Sequence, residues 1–129
     1  MLYLDASAIT KLVIDEPETA GLQDAVRGHD LVSSRVAVVE VVKAVSRANP
    51  DADPTRVLAL LAFIELDAEL AALAGATGDP GLRALDAIHV ASALRLGPDV
   101  RSFVTYDARQ SSAAHSAGLH VETPGAPRP

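Results

Sequence analysis

Met1-Leu2-Tyr3-Leu4-Asp5-Ala6-Ser7-Ala8 opens the chain with an apolar run that is closed by an acid and followed at once by a turn of small residues. Residues 1–4 read as a short buried strand and residues 6–14 as a helix, so strand and helix are joined with almost no loop. Phe103-Val104-Thr105-Tyr106-Asp107 repeats the arrangement late in the chain, with a strand over 102–106 and a helix over 108–117 stopped by Gly118. Between these two units the alternation continues. A helix is expected from about Pro17, whose fixed φ suits a first helical turn, and Gly28-His29-Asp30 ends it. A strand follows over 31–33, and Ser34 is placed to cap the next helix.

Residues 35–48 are rich in valine and carry strand propensity. Glu40, Lys43 and Arg47, however, fall at i, i+3 and i+7, on one helical face, and do not alternate. The segment is therefore expected to be a helix stopped by Asn49-Pro50. Asp53-Pro54 opens a further expected helix to about Leu61, residues 63–66 form a third strand, and residues 67–76 a helix. Gly75, Gly78, Pro80 and Gly81 lie in an interior loop, residues 84–96 form an apolar helix ended by Gly97-Pro98, and residues 119–122 a last strand. Strands alternating with helices imply a parallel sheet covered on both faces, an α/β fold. Ligands in such sheets bind beyond the carboxyl ends of the strands, where Asp5 and Asp107 stand.

At 129 residues the chain is expected to be one domain, over residues 1–122, with residues 123–129 (Thr-Pro-Gly-Ala-Pro-Arg-Pro) as a flexible tail. Hydrophobic residues make up 49% of the chain and aromatic residues only 3%, so the core must be built from Val, Leu, Ile and Ala. There is no cysteine, which excludes disulfides, thiol catalysis and thiolate zinc sites. No apolar stretch reaches the roughly 18 residues that span a membrane, and no signal peptide is visible. A cytoplasmic protein is expected. The formal net charge is −6, opposite to the basic surface usual in nucleic-acid binders.

The distribution of acids carries most of the functional information. Asp5 closes the first strand, Glu40 is the lone acid in Val36–Val42, Asp86 interrupts Leu82–His89, and Asp107 closes the strand at 102–106. A carboxylate among apolar neighbours is costly unless something positive pairs with it. With no matching cluster of bases, a divalent cation is the expected partner. Each acid also has an ordinary explanation. Asp5 and Asp107 suit helix caps, Asp86 suits a helix start or an ion pair with Arg83, and Glu40 could pair with Lys43 or Arg47. His89, one turn after Asp86, reads as a packed core histidine.

Leu2–Ala8, Glu40 on its helix, Leu85-Asp86-Ala87-Ile88-His89-Val90-Ala91-Ser92-Ala93 and Val104-Thr105-Tyr106-Asp107-Ala108-Arg109, in this order, resemble the PIN-domain nucleases. The toxin half of VapBC toxin–antitoxin pairs is the nearest likeness, and the resemblance runs from Met1 to about Val121. It implies a three-layer α/β/α sandwich around a mainly parallel sheet of four or five strands. It further implies a metal-dependent endoribonuclease using Mg²⁺ or Mn²⁺. Asp5, Glu40, Asp86 and Asp107 correspond to the catalytic, metal-binding acids, and Ser7 and Thr105 to supporting hydroxyls beside them. Partners implied by the same resemblance are RNA, a small VapB-like antitoxin and a second copy of the chain, with no role for a membrane. Apolar helices at 35–48 and 53–61 are the expected surfaces for an antitoxin helix.

Three other readings are weighed against this one. A phosphoacceptor receiver needs paired acids after the first strand and a late lysine, but Asp5 is single and no lysine follows Lys43. A haloacid-dehalogenase-type phosphatase needs a second Asp two residues after the first, where Ser7 stands. The remaining alternative is a catalytically silent PIN-like module that binds RNA or protein.

Overall fold

A computed structural model describes residues 1–127 of the chain. The elements are β1 (Leu2–Leu4), α1 (Ala6–Val13), α2 (Thr19–Val26), β2 (Leu31–Ser34), α3 (Val36–Ala48), α4 (Thr55–Leu58) and β3 (Leu61–Ile64). They continue with α5 (Ala68–Gly75), α6 (Ala84–Leu96), β4 (Ser102–Val104), α7 (Ala108–Ser116) and β5 (Val121–Glu122). All five strands are parallel, in the order β3-β2-β1-β4-β5. This is a three-layer α/β/α fold.

Alternation along the strands assigns the two faces. Leu2, Leu4 and Val104 point to one side, where they pack with Ala8 and Ile9 of α1, Leu22 of α2, and Ala37, Val41 and Val45 of α3. Tyr3, Val32 and Phe103 point to the other, against Val90 and Ala93 of α6 and Ala114 of α7. Leu70 and Ala74 of α5 close on Ala87 and Ala91 of α6 beyond them. Both sheet faces are thus dry, as parallel sheets require.

Helix α3 forms despite its valines because Ala37, Val41 and Val45, at successive fourth positions, supply one fully buried stripe. Its start differs from expectation. Ser34 remains in β2, and its hydroxyl accepts a bond from the Val36 N–H at 3.3 Å, while Arg35 takes the cap position. Helix α2 begins at Thr19 rather than at Pro17. The Thr19 hydroxyl accepts from the Glu16 N–H at 3.0 Å and donates to the Lys11 carbonyl at 2.8 Å, which holds residues 16–19 in a turn.

The largest shift in boundaries is at α4 and β3. The expected helix to Leu61 ends at Leu58, and the third strand lies at Leu61–Ile64 rather than 63–66. Leu61 pairs with Leu31 and is buried, whereas Leu66 is exposed. Burial of Leu61 therefore sets the strand's start. Helix α6 runs over the expected residues 84–96 and ends at Gly97, whose φ of +60° suits a residue without a side chain. Of the segment 123–129, the Pro124 carbonyl accepts a bond from the Tyr106 hydroxyl at 2.6 Å, and residues 128–129 lie outside the described residues.

The strand order reverses between β1 and β4. Leu4 pairs with Val104, so both strands end side by side and the next residues, Asp5 and Thr105, meet there. Such switch points are where open parallel sheets form their ligand crevices.

Candidate active site

Asp5 leaves β1 with its N–H still bonded to the Val104 carbonyl, at 3.2 Å, and its side chain turns back to cap α1. One carboxylate oxygen accepts from the Ala8 N–H at 3.1 Å and from the Ser7 hydroxyl at 2.6 Å, and the other accepts from the Thr105 hydroxyl. The two hydroxyls also tie the strand ends together. Ser7 Oγ accepts from the Tyr106 N–H at 2.9 Å and Thr105 Oγ1 from the Asp107 N–H at 3.1 Å. Asp5 is only 4% exposed. Burial pushes its carboxyl above the ordinary carboxylate range, although His89 and these hydrogen bonds pull the other way.

Glu40 comes from the middle of α3, in the opposite helical layer from α6. Its Oε1 lies 2.7 Å from His89 Nε2, and His89 is 2% exposed. Glu40 therefore pairs with neither Lys43 nor Arg47 of its own helix. On α6, Asp86 occupies the first turn, 8% exposed, and accepts from Arg83 Nε at 3.0 Å. Asp107 caps α7, accepting through Oδ1 from the Arg109 and Gln110 N–H groups at 2.8 and 3.2 Å. Its Oδ2 stands 3.8 Å from Arg83 Nη2. The ordinary explanations for Asp5, Asp86 and Asp107 thus hold alongside any chemical role.

Asp5, Glu40, Asp86 and Asp107 all line one cavity of about 310 Å³, together with Ser7, Arg83, His89 and Gln110. Thr105 reaches it through Asp5. A wider cavity of about 630 Å³ adjoins it across Arg83 and Asp86 and runs between the 77–82 loop and α7. The expectation that the acids lack cationic partners needs correction. Arg83 spans Asp86 and Asp107, and His89 serves Glu40. Asp5 alone among the four has no nitrogen-bearing side chain bonded to it among the described residues.

The donor set consists of hard carboxylate and hydroxyl oxygens with no sulfur, which suits Mg²⁺ or Mn²⁺. Among the described residues no three acid or histidine side chains stand close enough, as they are held, to clasp a single ion. Arg83 fills the positive position between two of the acids, and it is 56% exposed, free to swing out. The chemistry of the donors suits a divalent ion, whereas the side chains as held do not enclose one.

The sequence pattern of the PIN domain matches residues 2–116, from β1 to the end of α7. The chain belongs to the PIN-domain family. Ribonuclease VapC46 of Mycobacterium tuberculosis (strain ATCC 25618 / H37Rv) is 41% identical over 126 residues, covering 95% of this chain and 97% of the relative. Ribonuclease VapC47 of Mycobacterium tuberculosis (strain CDC 1551 / Oshkosh) is 36% identical over 136 residues, covering 99% of this chain and all of the relative. Ribonuclease VapC35 of the same two strains is 36% identical over 135 residues, with similar coverage.

This PIN domain also contains groups around the acids that sequence reading passed over. Gln110 is 1% exposed, and neither atom of its amide has a hydrogen-bond partner among the described residues. Tyr3 stands 2.7 Å from His89 Nδ1 on the far side of the imidazole from Glu40. One signal was present: His89 and Gln110 each follow an acid of the cavity by three residues, the spacing that puts both on one helix face.

Proposed function

We propose that this chain is the toxin endoribonuclease of a VapBC-type pair, hydrolysing RNA phosphodiester bonds with the help of Mg²⁺ or Mn²⁺. One observation carries the reading. Four carboxylates from four separate elements converge on one cavity at the carboxyl edge of a parallel sheet, in a chain aligned end to end with relatives named ribonucleases.

Asp5, Glu40, Asp86 and Asp107 are the residues that would hold the metal. A bound divalent ion supplies a more acidic water and neutralises charge on the phosphate. Ser7 and Thr105 fix both oxygens of Asp5 from the sides, so that carboxylate is oriented before any ligand arrives. Arg83, displaced from Asp86, is placed to meet the phosphate of a bound strand. Phosphodiester hydrolysis then needs no protein nucleophile, in keeping with a chain that has no cysteine.

The cognate antitoxin is expected to cover the apolar side chains Val39 and Val42, which α3 leaves exposed, and to present an arginine to the acids. A homodimer and a cytoplasmic location complete the reading. No helix among the described residues is long and apolar enough to cross a membrane. The test is cleavage of total cellular RNA by the purified chain in Mg²⁺ or Mn²⁺. Cleavage should vanish with EDTA and in Asp5→Asn. Undiminished cleavage by Asp5→Asn would refute the assignment. A wild-type chain that binds RNA or a small partner protein without cutting would favour the silent binding module.

A further inference from the structure

His89 links three elements that the sequence keeps far apart. Its Nε2 meets Glu40 Oε1 of α3 at 2.7 Å, and its Nδ1 meets the Tyr3 hydroxyl of β1 at 2.7 Å. We infer that Tyr3 and His89 form a positioning relay that aims the Glu40 carboxylate into the acid cavity, with the imidazole fixed as its Nε2–H tautomer. The role of Glu40 in binding metal rests on the function proposed above; the tautomer does not.

The direction of each hydrogen bond follows from the two ends. An ionised carboxylate can only accept, so Nε2 must carry the hydrogen that bridges to Glu40. The inferred tautomer leaves Nδ1 without a hydrogen and so an acceptor, and the Tyr3 hydroxyl is the group at bonding distance. Tyr3 is fully buried, and burial holds its phenol in the protonated form that can donate. The hydroxyls of Ser33 and Ser92 also flank the phenol. Ser33 Oγ has no other hydrogen-bond partner among the described residues and is free to donate. The Ser92 proton is committed to the Ile88 carbonyl at 2.7 Å, so Ser92 is a rival acceptor to the His89 Nδ1 that stands 2.7 Å from the phenol.

Packing makes the relay rigid. The Tyr3 ring stacks on Phe103 with centroids 5.0 Å apart and meets the His89 ring edge-on at 5.8 Å. Tyr3 thus has one rotamer, His89 one ring orientation, and Glu40 one preferred partner. Glu40 stands on a longer, partly exposed side chain and would otherwise sample several rotamers. Helix α6 therefore supplies Asp86 to the cavity directly and, one turn later, controls Glu40 from across the sheet edge. Groups that orient metal-binding side chains typically contribute about 10–100-fold to metal affinity.

The relay is tested on the metal-free protein and by Mn²⁺ binding. Long-range ¹⁵N–¹H correlation of labelled histidine should report His89 as the Nε2–H tautomer, a result that Tyr3→Phe disturbs. By electron paramagnetic resonance, Mn²⁺ affinity should fall about 3–10-fold in Tyr3→Phe and about 10–100-fold in His89→Leu. His89→Gln keeps an N–H directed at Glu40 and should recover most of the loss. A packing role alone would leave His89→Gln no better than His89→Leu. In RNA cleavage the loss should fall on kcat, with KM unchanged. An Nδ1–H tautomer in the wild type, or Mn²⁺ affinity unaltered in folded Tyr3→Phe, would overturn the relay. Absence of Mn²⁺ binding by the wild type would instead sink the metal reading, and the tautomer alone would then decide whether the relay exists.

Discussion

Replacing Asp5 by Asn should make the metal-free protein more stable, although it removes a residue central to the proposed chemistry. The Asp5 carboxylate is 4% exposed and its carboxyl is held above the ordinary range by burial. Burial of a charge lacking an opposite partner costs about 3–5 kcal/mol. Ser7, Thr105 and the Ala8 N–H offset part of this. Asn keeps an oxygen for Ser7 and Ala8 but turns an acceptor into a donor opposite Thr105, at a cost of about 1 kcal/mol. The net gain for Asp5→Asn is on the order of 2 kcal/mol, or roughly 6–10 °C in Tm for a chain of this size. Its pH dependence follows from linkage. A carboxyl raised in the folded state binds its proton more tightly there than in the unfolded chain. Its contribution to stability is present below the unfolded value, about pH 4, and is lost as pH rises through the folded value. The advantage of Asn should therefore be absent in acid and complete on the alkaline side of the folded value. Saturating Mn²⁺ should reverse the order, raising wild-type stability by about 2.7 kcal/mol at one hundred times its Kd and leaving the variant nearly unmoved. Thermal unfolding followed by circular dichroism, in EDTA and in Mn²⁺ from acid to mildly alkaline pH, reads all of this. A variant less stable than wild type in EDTA at alkaline pH, or an advantage that does not change with pH, would refute the reasoning.

Two further substitutions probe the cavity wall. Gln110→Leu replaces a buried amide without hydrogen-bond partners among the described residues by an apolar side chain of similar volume. Relief of the unmet groups should raise unfolding free energy in urea by about 1–2 kcal/mol, while RNA cleavage falls because the wall of the acid cavity loses a polar side chain. Lower stability would show that the amide is already satisfied. Arg83→Gln removes the cation between Asp86 and Asp107. Calorimetric titration should show Mn²⁺ binding several-fold tighter, with little loss of stability because the ion pair is exposed to solvent screening. Weaker Mn²⁺ binding would mean that Arg83 does not compete for the acids.

The elements legible in the sequence are those with punctuation at their ends. Helix α6 lies between the Pro80-Gly81 turn and Gly97-Pro98, and it was placed to the residue. Helix α3 was recovered against its valine propensity by the spacing of three charged residues. The β3 boundary was not, because the apolar run Val57–Ile64 holds no Gly, Pro, Asn or Asp between the end of a helix and the start of a strand. Only pairing with β2 divides it. The same distinction governs the site. Asp5 and Asp107 mark strand ends and could be placed together from topology, whereas Glu40 and Asp86 sit within helices and drew on family resemblance. Tyr3 and His89 are 86 residues apart. Their meeting depends on which face of β1 looks toward α6, and reading His89 as packed core caught its burial but missed its partners.

The fold itself supplies partners for most of the acids that line the cavity. Arg83 serves Asp86 and faces Asp107, and His89 donates to Glu40, so three of the four acids have a nitrogen partner that the fold itself supplies. Asp5 has no such partner and is buried among neutral hydrogen-bond donors. Asp5 is also the acid whose two oxygens are both fixed, by hydroxyls that tie β1 to β4. Orientation and desolvation thus fall on the same carboxylate, with no side-chain motion needed to present it. Arg83 stands at the opposite extreme, exposed and held through an ion pair that solvent weakens. Under the proposed function, Arg83 is then the side chain whose release would open Asp86 and Asp107 to an ion, whereas Asp5 is already oriented by its hydroxyl partners.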